Sequence, residues 1–286
     1  MNLILQLVTL IEENLNSELP VKTLASRSGY TERWLYSLFL EETGISVAQY
    51  IRRRKLTLAS VLLRHTSRPV TDISLMYDFS SPQHFSRAFR KQFRVSPVKY
   101  RNADAWDMQF AQPVLYKTAQ CTEFRMTEIT EGNHPAVLLQ KKSLHLGMDF
   151  VHVSSGGRFI YNRNLFKSIM AIYEPVSGIS DFLITGEMVP SKEMDSELVY
   201  TIEKISRLSR PEKLLPDGLY ASQKFTGTYE QIFDFQMYDS ISALIDNKCI
   251  LKREPMYTLF HRTDNKDIMN AQFLIPCVKP QLCHTR

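Results

Sequence analysis

The first hundred residues follow a helical hydrophobic rhythm that is interrupted by turns. Apolar side chains recur every three or four positions, as in an amphipathic helix whose apolar stripe faces a core. The helices predicted from this spacing cover 2–14, 21–28, 31–42, 47–64, 70–77 and 82–93. This part of the chain is therefore predicted to be all-helical.

Turn and cap residues mark the predicted helix ends. Thr31 and Ser81 are placed as N-caps, and Pro82 occupies a first helical position, where its missing N–H is harmless. Gly29 provides the positive φ that a tight turn between two helices needs. Gly44 ends the predicted helix 31–42. In a second copy of the pattern, Asp78 stands where the first copy has Gly29, and aspartate tolerates the left-handed region fairly well.

Each copy consists of two short helices, a tight turn and an exposed face on the second helix. In 82–93 the buried face is predicted to hold Phe85, Ala88, Phe89 and Phe93. The predicted exposed residues are Gln83, His84, Arg87, Arg90, Lys91 and Arg94. This arrangement is typical of a helix-turn-helix that lays its second helix in the DNA major groove, although an ordinary helical hairpin with a solvated charged face has the same pattern. The presence of two copies favours the helix-turn-helix.

The predicted helix 47–64 lies between the copies. If it is continuous and holds them roughly 34 Å apart, both recognition helices can enter adjacent major-groove segments, and one chain binds two subsites without dimerising. Its run from Arg52 to Lys55 is interpreted as a solvated helix face or a phosphate clamp.

Charge separates the two parts of the chain. Residues 1–106 contain 15 Lys and Arg against 9 Asp and Glu, a net charge of +6, whereas 107–286 contain 20 against 21, a net charge of −1. We therefore expect the first part to meet a polyanion and the second to meet something else.

Beyond about residue 120 the hydrophobic period changes from helical to alternating, which indicates a second domain. The predicted order is strands at 122–131 and 135–142, a helix at 158–173 and strands at 181–187 and 196–206, then strands at 207–213 and 218–226, a helix at 228–246 and strands at 256–262 and 270–278. This repeated order predicts a pseudo-duplicated α+β domain with a cleft between its halves.

Several classes of protein are disfavoured by the sequence. It contains no apolar run near twenty residues and no secretory leader, so we expect a soluble cytoplasmic protein without membrane contact. Four cysteines without metal-ligand spacing favour a reducing compartment and neither a disulfide framework nor a metal site. We find no nucleophile elbow and no phosphate loop, and we interpret His145 and His152 as surface residues, so we expect no cofactor and no enzyme.

The segments SRSGYTERWLYSLF and FSRAFRKQFRVSPVKYR resemble the AraC/XylS family of bacterial transcription activators, and GYTERWLYSLFLEETGISVAQYIRRRKL is most similar to its Rob-like branch. The resemblance covers residues 1 to about 106. It implies DNA binding as a monomer, activation at promoters and contact with RNA polymerase, with the regulator nucleoid-associated when bound.

The resemblance also implies specific contacts. The implied base contacts are Arg33, Tyr36, Ser37, Gln83, His84 and Arg87. Phosphate contacts are assigned to Trp34, Arg52, Arg53, Arg90, Lys91 and Lys99. For Trp34, packing or phosphate contact is favoured over base readout. The Rob-like branch has tryptophan where this chain has Arg33, and arginine where it has Ser37. Because a serine cannot replace a bidentate fork, the preferred DNA sequence is expected to differ.

The second part resembles the GyrI-like effector-binding domain, in GLYASQKFTGTYEQI and NAQFLIPCV. The resemblance implies a hydrophobic cleft for a small amphipathic or aromatic ligand, with a glutamate replaced here by Gln272. Without that charge, a neutral or anionic ligand is as well suited as a cationic one. The candidate ligand contacts are Phe166, Tyr173, Tyr200, Phe225, Tyr257 and Gln272, and Glu197 or Glu203 is the candidate carboxylate, with a solvated face as the alternative.

The domain organisation expected is therefore a double helix-turn-helix domain (1–106), a linker (107–121), a GyrI-like domain (122–279) and a tail (280–286). The leading function is an activator that binds promoter DNA and senses a small molecule. The alternatives make the second domain a protein-interaction or self-association module, or a GyrI-like hydrolase.

Overall fold

A computed structural model describes most of the chain. The described residues are 3–15, 21–115, 123–130, 133–145, 170–172, 179–191, 195–205, 211–213 and 215–278. The predicted helix 158–173 lies almost entirely outside them.

The N-terminal part is all-helical, as expected. Its helices are α1 (Leu3–Glu13), α2 (Val21–Ser28), α3 (Glu32–Thr43), α4 (Val47–His65), α5 (Val70–Met76), α6 (Pro82–Phe93) and α7 (Pro97–Arg101). They enclose one apolar core, in which Leu35, Phe39, Phe85 and Phe89 are fully buried. The helix-turn-helix units are α2–α3 and α5–α6.

The predicted caps are present. The hydroxyls of Thr31 and Ser81 accept from backbone N–H groups three residues later, and thereby satisfy donors that the first helical turn leaves unpaired. Gly29 and Asp78 both have positive φ, 75° and 56°, at the turns that precede these caps.

The two units share one backbone design. Corresponding cap residues keep a constant separation along the chain: Thr31 and Ser81 begin the recognition helices, Gly44 and Arg94 end them in the left-handed conformation, and Ser46 and Ser96 begin the helices that follow. The structural repeat thus extends through the whole of each unit, beyond its helix-turn-helix.

Helix α4 is unbroken over 19 residues. At 1.5 Å per residue it spans about 28 Å, so it is a rigid spacer between the units. It packs on α1 through a buried ion pair: the Arg54 guanidinium and the Glu12 carboxylate are 2.9 Å apart, with side chains 4% and 0% exposed. The Tyr50 hydroxyl donates to the same carboxylate at 2.6 Å.

The C-terminal part is built around an antiparallel sheet. Its described strands are β1 (Ala105–Asp107), β2 (Glu123–Ile129), β3 (Asn133–His145), β4 (Asp181–Pro190), β5 (Ser196–Ile205), β6 (Pro211–Lys213), β7 (Gly218–Gly227), β8 (Ile250–Lys252), β9 (Met256–Arg262) and β10 (Met269–Cys277). The strand order is β2-β7-β10-β9-β4-β5-β3-β6, and the short pair β1-β8 joins the end of β10.

One face of this sheet is covered by the predicted helix 228–246. The structure divides that helix into α8 (Tyr229–Asp234), a π-helical turn (Phe235–Asp239) and α9 (Ser240–Asp246). Ile232, Phe233 and Phe235 pack on the sheet beside Phe182 and Phe273.

The described residues of the predicted linker, 107–115, contact both parts of the chain. Ala105 and Trp106 lie within the predicted first domain and Asp107 begins the predicted linker, yet all three residues pair with β8 of the sheet. The following residues pack on the helices, where the backbone N–H of Gln112 donates to the Thr57 hydroxyl at 2.9 Å and Leu115 donates to Tyr50. We call residues 105–115 the connecting segment; the domain boundary itself stays a prediction.

Two further expectations concern cysteines and membranes. Cys249 and Cys277 are buried and unbridged, whereas Cys121 and Cys283 lie outside the described residues. Among the described helices, none has the length and apolar character needed to cross a membrane.

Candidate nucleic-acid interface

Helix α6 presents its predicted base-contacting residues on one exposed surface. Phe85, Phe89 and Phe93 fix its inner face, with the rings of Phe85 and Phe89 5.6 Å apart. Gln83, His84 and Arg87 are therefore exposed.

Two contacts orient the first turn of α6. The His84 backbone N–H donates to the Ser81 hydroxyl at 3.1 Å. The His84 ring nitrogen Nδ1 lies 3.0 Å from the Ser80 hydroxyl. With Arg87 three residues further on, α6 can offer an imidazole and a guanidinium to base edges.

Helix α3 presents a different surface. Arg33, Tyr36 and Ser37 are exposed as predicted. The Ser37 hydroxyl donates to the Arg33 carbonyl within the same helix at 3.0 Å, so its donor is already engaged. Partial burial, and secondarily the Glu32 carboxylate, raises the pKa of Tyr36, which keeps its phenol protonated.

Trp34 contacts an aromatic residue that the sequence analysis missed. Its indole stacks on Tyr30 with ring centroids 3.9 Å apart and planes inclined by 12°. The two side chains remain 40% and 48% exposed. Their spacing of four positions across the turn is the signal that could have indicated the pair.

The predicted phosphate contacts lie mostly in solvent. Arg52, Arg90, Lys91 and Lys99 are exposed, and Arg53 is half-buried. Within the described part of the chain, none of these five forms an ion pair with a carboxylate. Their charges therefore remain available to an anionic partner.

The cationic run on α4 is not uniform. Arg54, unlike Arg52 and Arg53, points into the core toward Glu12 and donates to the Gln112 carbonyl at 2.7 Å. The signal was its position four residues after Tyr50 and four before Leu58, both on the apolar face.

The structure brings several predicted contacts together. Arg52, Arg53, His84, Arg87 and Lys91 line one cavity between α4, α6 and the connecting segment, with a volume of about 590 Å³. The two recognition helices therefore differ in their setting as well as in their sequence.

The candidate ligand contacts of the sheet domain are divided between its two faces. Tyr200 and Phe225 belong to the helix-covered face, Tyr200 buried and Phe225 partly buried against Phe235. Tyr257 and Gln272 lie on the opposite face, because they alternate in register with Thr258 and Phe273 of the covered face. Phe166 and Tyr173 lie outside the described residues.

The opposite face has acidic and amide groups. Burial first, and then the carboxylates of Glu254, Glu203 and Glu187, raises the pKa of Tyr257. The Gln272 amide donates to the Ser222 hydroxyl at 2.9 Å. Among the described residues, no group of three or more His, Cys, Asp or Glu is arranged to hold a metal ion.

Comparison with known proteins places the helical part in a family. A family model described as a helix-turn-helix domain matches residues 24–103. The transcriptional regulator Rob of Salmonella typhimurium is 35% identical over 142 residues, which is 50% of this chain and 46% of Rob. The regulatory protein SoxS of Escherichia coli is 39% identical over 100 residues, which is 35% of this chain and 94% of SoxS.

Among solved structures, an AraC-type transcriptional regulator from Chromobacterium violaceum is 32% identical, covers 39% of this chain and 94% of its own, and superposes with a TM-score of 0.32. The chain spans about half the length of curated relatives such as Rob. Because 94% of SoxS is covered by this chain at 39% identity, the chain belongs to the AraC/XylS family of transcriptional regulators, in its Rob-like branch.

Proposed function

We propose that this chain is a sequence-specific DNA-binding regulator of the bacterial cytoplasm that activates transcription at promoters and contacts RNA polymerase. One chain binds two adjacent major-groove segments, one through α3 and one through α6. Its relatives are named a transcriptional regulator, a right origin-binding protein and a regulatory protein.

The observation that carries this proposal is the repeat of a capped recognition helix on either side of an unbroken α4. An unbroken helix between the units holds them at a fixed separation, as simultaneous docking in major-groove segments roughly 34 Å apart requires. A rigid spacer limits the entropy lost on binding, because the second unit is already placed when the first has docked.

Within this proposal the contacts have separate roles. Arg87 pairs with guanine O6 and N7, and Gln83 and His84 contact neighbouring bases. On α3, Arg33 provides a guanidinium fork at the repeat position of Gln83. Arg52, Arg53, Arg90, Lys91 and Lys99 contact phosphates, so they contribute affinity and salt dependence without base preference.

The test is to select duplexes bound by the full chain and to measure their affinity for wild type and for Arg87→Ala. We expect Arg87→Ala to lose about 1–3 kcal/mol on the selected sequence and to bind sequences changed at one base pair equally well. A uniform loss on every sequence would show that Arg87 contacts only phosphate.

We further propose that the sheet domain is a GyrI-like pseudo-duplicate that binds a small amphipathic or aromatic effector. The strand order supports this, because it maps onto itself when β2, β3, β4 and β5 are exchanged with β6, β7, β9 and β10. The face of Tyr257 and Gln272 supports a ligand, since Glu187 and Glu203 provide negative charge there in place of the missing family glutamate.

This second proposal is tested by thermal unfolding of the full chain in the presence of aromatic cations and aromatic carboxylates. A bound effector raises the melting temperature in proportion to its occupancy, and the carboxylates near Tyr257 favour the cations. Glu203→Gln should reduce the shift, with Glu230→Gln, an exposed residue on α8, as its control. If no compound shifts the melting temperature, the sheet domain is better explained as an interaction module.

A further inference from the structure

The cavity beside α6 has three walls. Two are helix faces of the DNA-binding part, from α4 and α6, and the third is the connecting segment, through Gln109, Phe110, Ala111 and Gln112. Its volume of about 590 Å³ is within the range of small-molecule sites.

The cavity has a one-sided charge. Five cations line it, Arg52, Arg53, Arg87, Lys91 and Arg94, and no carboxylate is among its lining residues. Cations placed this close repel one another, and a bound anion relieves that repulsion. The composition of the walls therefore selects for negative charge.

The third wall is held in place by specific contacts. Gln92 donates its side-chain amide to the Phe110 carbonyl at 3.1 Å, and Gln112 is tied to Thr57 and Arg54. The Phe110 ring lies 5.9 Å from the Arg94 guanidinium, within cation–π distance. The connecting segment thus forms a fixed part of the cavity.

The rest of the lining is apolar or amide. Leu56, Ala88, Phe110 and Ala111 give the cavity an apolar surface beside its cations. Guanidinium and ammonium groups bind phosphate through charge-assisted hydrogen bonds, and an aromatic ring can stack on the body of the molecule that bears the phosphate.

We propose that this cavity is a phosphate-binding site that takes a ligand with at least two phosphate charges. The ligand that the lining fits is a free nucleoside diphosphate, with its phosphates on the cations and its base beside the Phe110 ring. Because four of the five cations are also proposed DNA contacts, a free ligand competes with DNA, and that part of the inference rests on the proposed function.

The test uses the full chain without DNA, titrated calorimetrically with ADP and with inorganic pyrophosphate near physiological salt. We expect one molecule bound per chain and about tenfold weaker binding in Arg94→Gln, which removes one charged hydrogen bond. Arg27→Gln is the matched control, because Arg27 is an exposed arginine on α2 of the same domain that does not line the cavity and has no assigned DNA contact. It should leave both ligands unaffected. Phe110→Ala should weaken ADP more than pyrophosphate.

A second arm measures DNA affinity for the same variants and in the presence of ADP. If ADP displaces DNA from wild type, the site accepts a free nucleoside diphosphate. If neither small ligand binds but Arg94→Gln lowers DNA affinity and the salt slope by about one, the cavity only adds a contact to the DNA backbone and the free-ligand site is refuted. If wild type binds pyrophosphate but has no affinity for DNA, the phosphate site is supported and the proposal of a DNA-binding regulator is refuted. If Arg94→Gln and Arg27→Gln behave alike in every titration, the cations act only as a diffuse field and the site is refuted.

Discussion

The two helix-turn-helix units have the same backbone plan but different surfaces. Recognition helix α3 contains three glutamates and one arginine, whereas α6 contains two arginines, one lysine and no acidic residue, so their net charges are −2 and +3. The first unit exposes a stacked aromatic pair and the second a cationic groove. The two units therefore have the same backbone geometry but different surface charges, and the attraction to a polyanion is concentrated in the second unit.

Their interiors differ as well. The first unit packs against α1, which is joined to α4 by the Glu12–Arg54 ion pair, whereas the second is filled by contacting aromatic rings, among them Phe89, Phe93 and Tyr100. A buried ion pair is weak evidence for net stability, but loss of one partner is costly because the other charge stays buried and unpaired.

The largest expected effect comes from breaking that pair. Glu12→Ala should lower the free energy of unfolding by about 3–5 kcal/mol, since it leaves the Arg54 guanidinium in the core without its carboxylate. Chemical denaturation measures the loss. Glu13→Ala is the control, because Glu13 is the exposed neighbour on the same helix, and it should change stability little. Equal losses in the two variants would contradict a structural role for the pair.

The spacer helix α4 adjoins the sheet domain through His65, its last residue. The Ser196 hydroxyl donates to the His65 carbonyl at 2.8 Å, and the Trp106 ring meets the imidazole edge-on. Burial is the largest cause that lowers the pKa of His65 to about 4. The positive charges of Arg64 and Arg253 lower the pKa further, whereas a hydrogen bond with the Met188 backbone opposes the shift. The imidazole is therefore neutral in the folded protein at neutral pH.

This lowered pKa predicts a pH dependence. Between pH 6.5 and 4 the unfolded state binds more protons than the folded state. The contribution of His65 to the free energy of unfolding therefore falls as the pH falls, by up to about 3 kcal/mol across this range. Thermal unfolding at pH 7 and pH 4.5 should show a smaller decrease for His65→Gln than for wild type. A decrease of the same size in both proteins would mean that His65 is not the group responsible.

The charge difference between the recognition helices predicts unequal roles in DNA binding. Lys91 of α6 occupies the repeat position of Glu41 of α3, and both are exposed. Lys91→Gln should weaken binding about equally on all sequences and reduce the magnitude of the salt slope by about one. Glu41→Gln should leave affinity unchanged or increase it. Affinity measured at several salt concentrations decides this, and equal losses in both variants would contradict the division of roles.

The smallest effect concerns the left-handed positions that end the recognition helices. Gly44 has φ 72°, and a Cβ built there meets nothing within 4 Å, so Gly44→Ala is penalised by the backbone alone, at about 1 kcal/mol. The second unit already has Arg94 at this position, with φ 66°. Arg94→Ala should therefore lose only its side-chain contacts, without new backbone strain. Comparison of the two melting temperatures tests this; no loss for Gly44→Ala would contradict it.

Local signals predicted the helical part closely. Residues 21–28 form the helix expected from their spacing, and Thr31, Gly44 and Ser81 act at the helix ends where their types are favoured. These signals depend on neighbours within one turn, so the sequence contains all the information that they need.

What the sequence could not provide depends on distant partners. Strand Ala105–Asp107 has only three residues, too few for a recognisable period, and exists because residues 250–252 lie beside it. Arg54 looked like its cationic neighbours until its partner Glu12 was placed. Tyr200 and Tyr257 looked equally suited to a ligand, and only the strand register assigns them to opposite faces of the sheet.

The central claim is that one chain places both units on one duplex, and hydroxyl-radical footprinting on a selected duplex, with the number of bound chains measured in the same sample, tests it most directly. The account predicts one chain per duplex and two protected major-groove segments about one helical turn, roughly 34 Å, apart on the same face. Two chains per duplex, or a single protected segment that is lost with Arg87→Ala and unaffected by changes on α3, would contradict it.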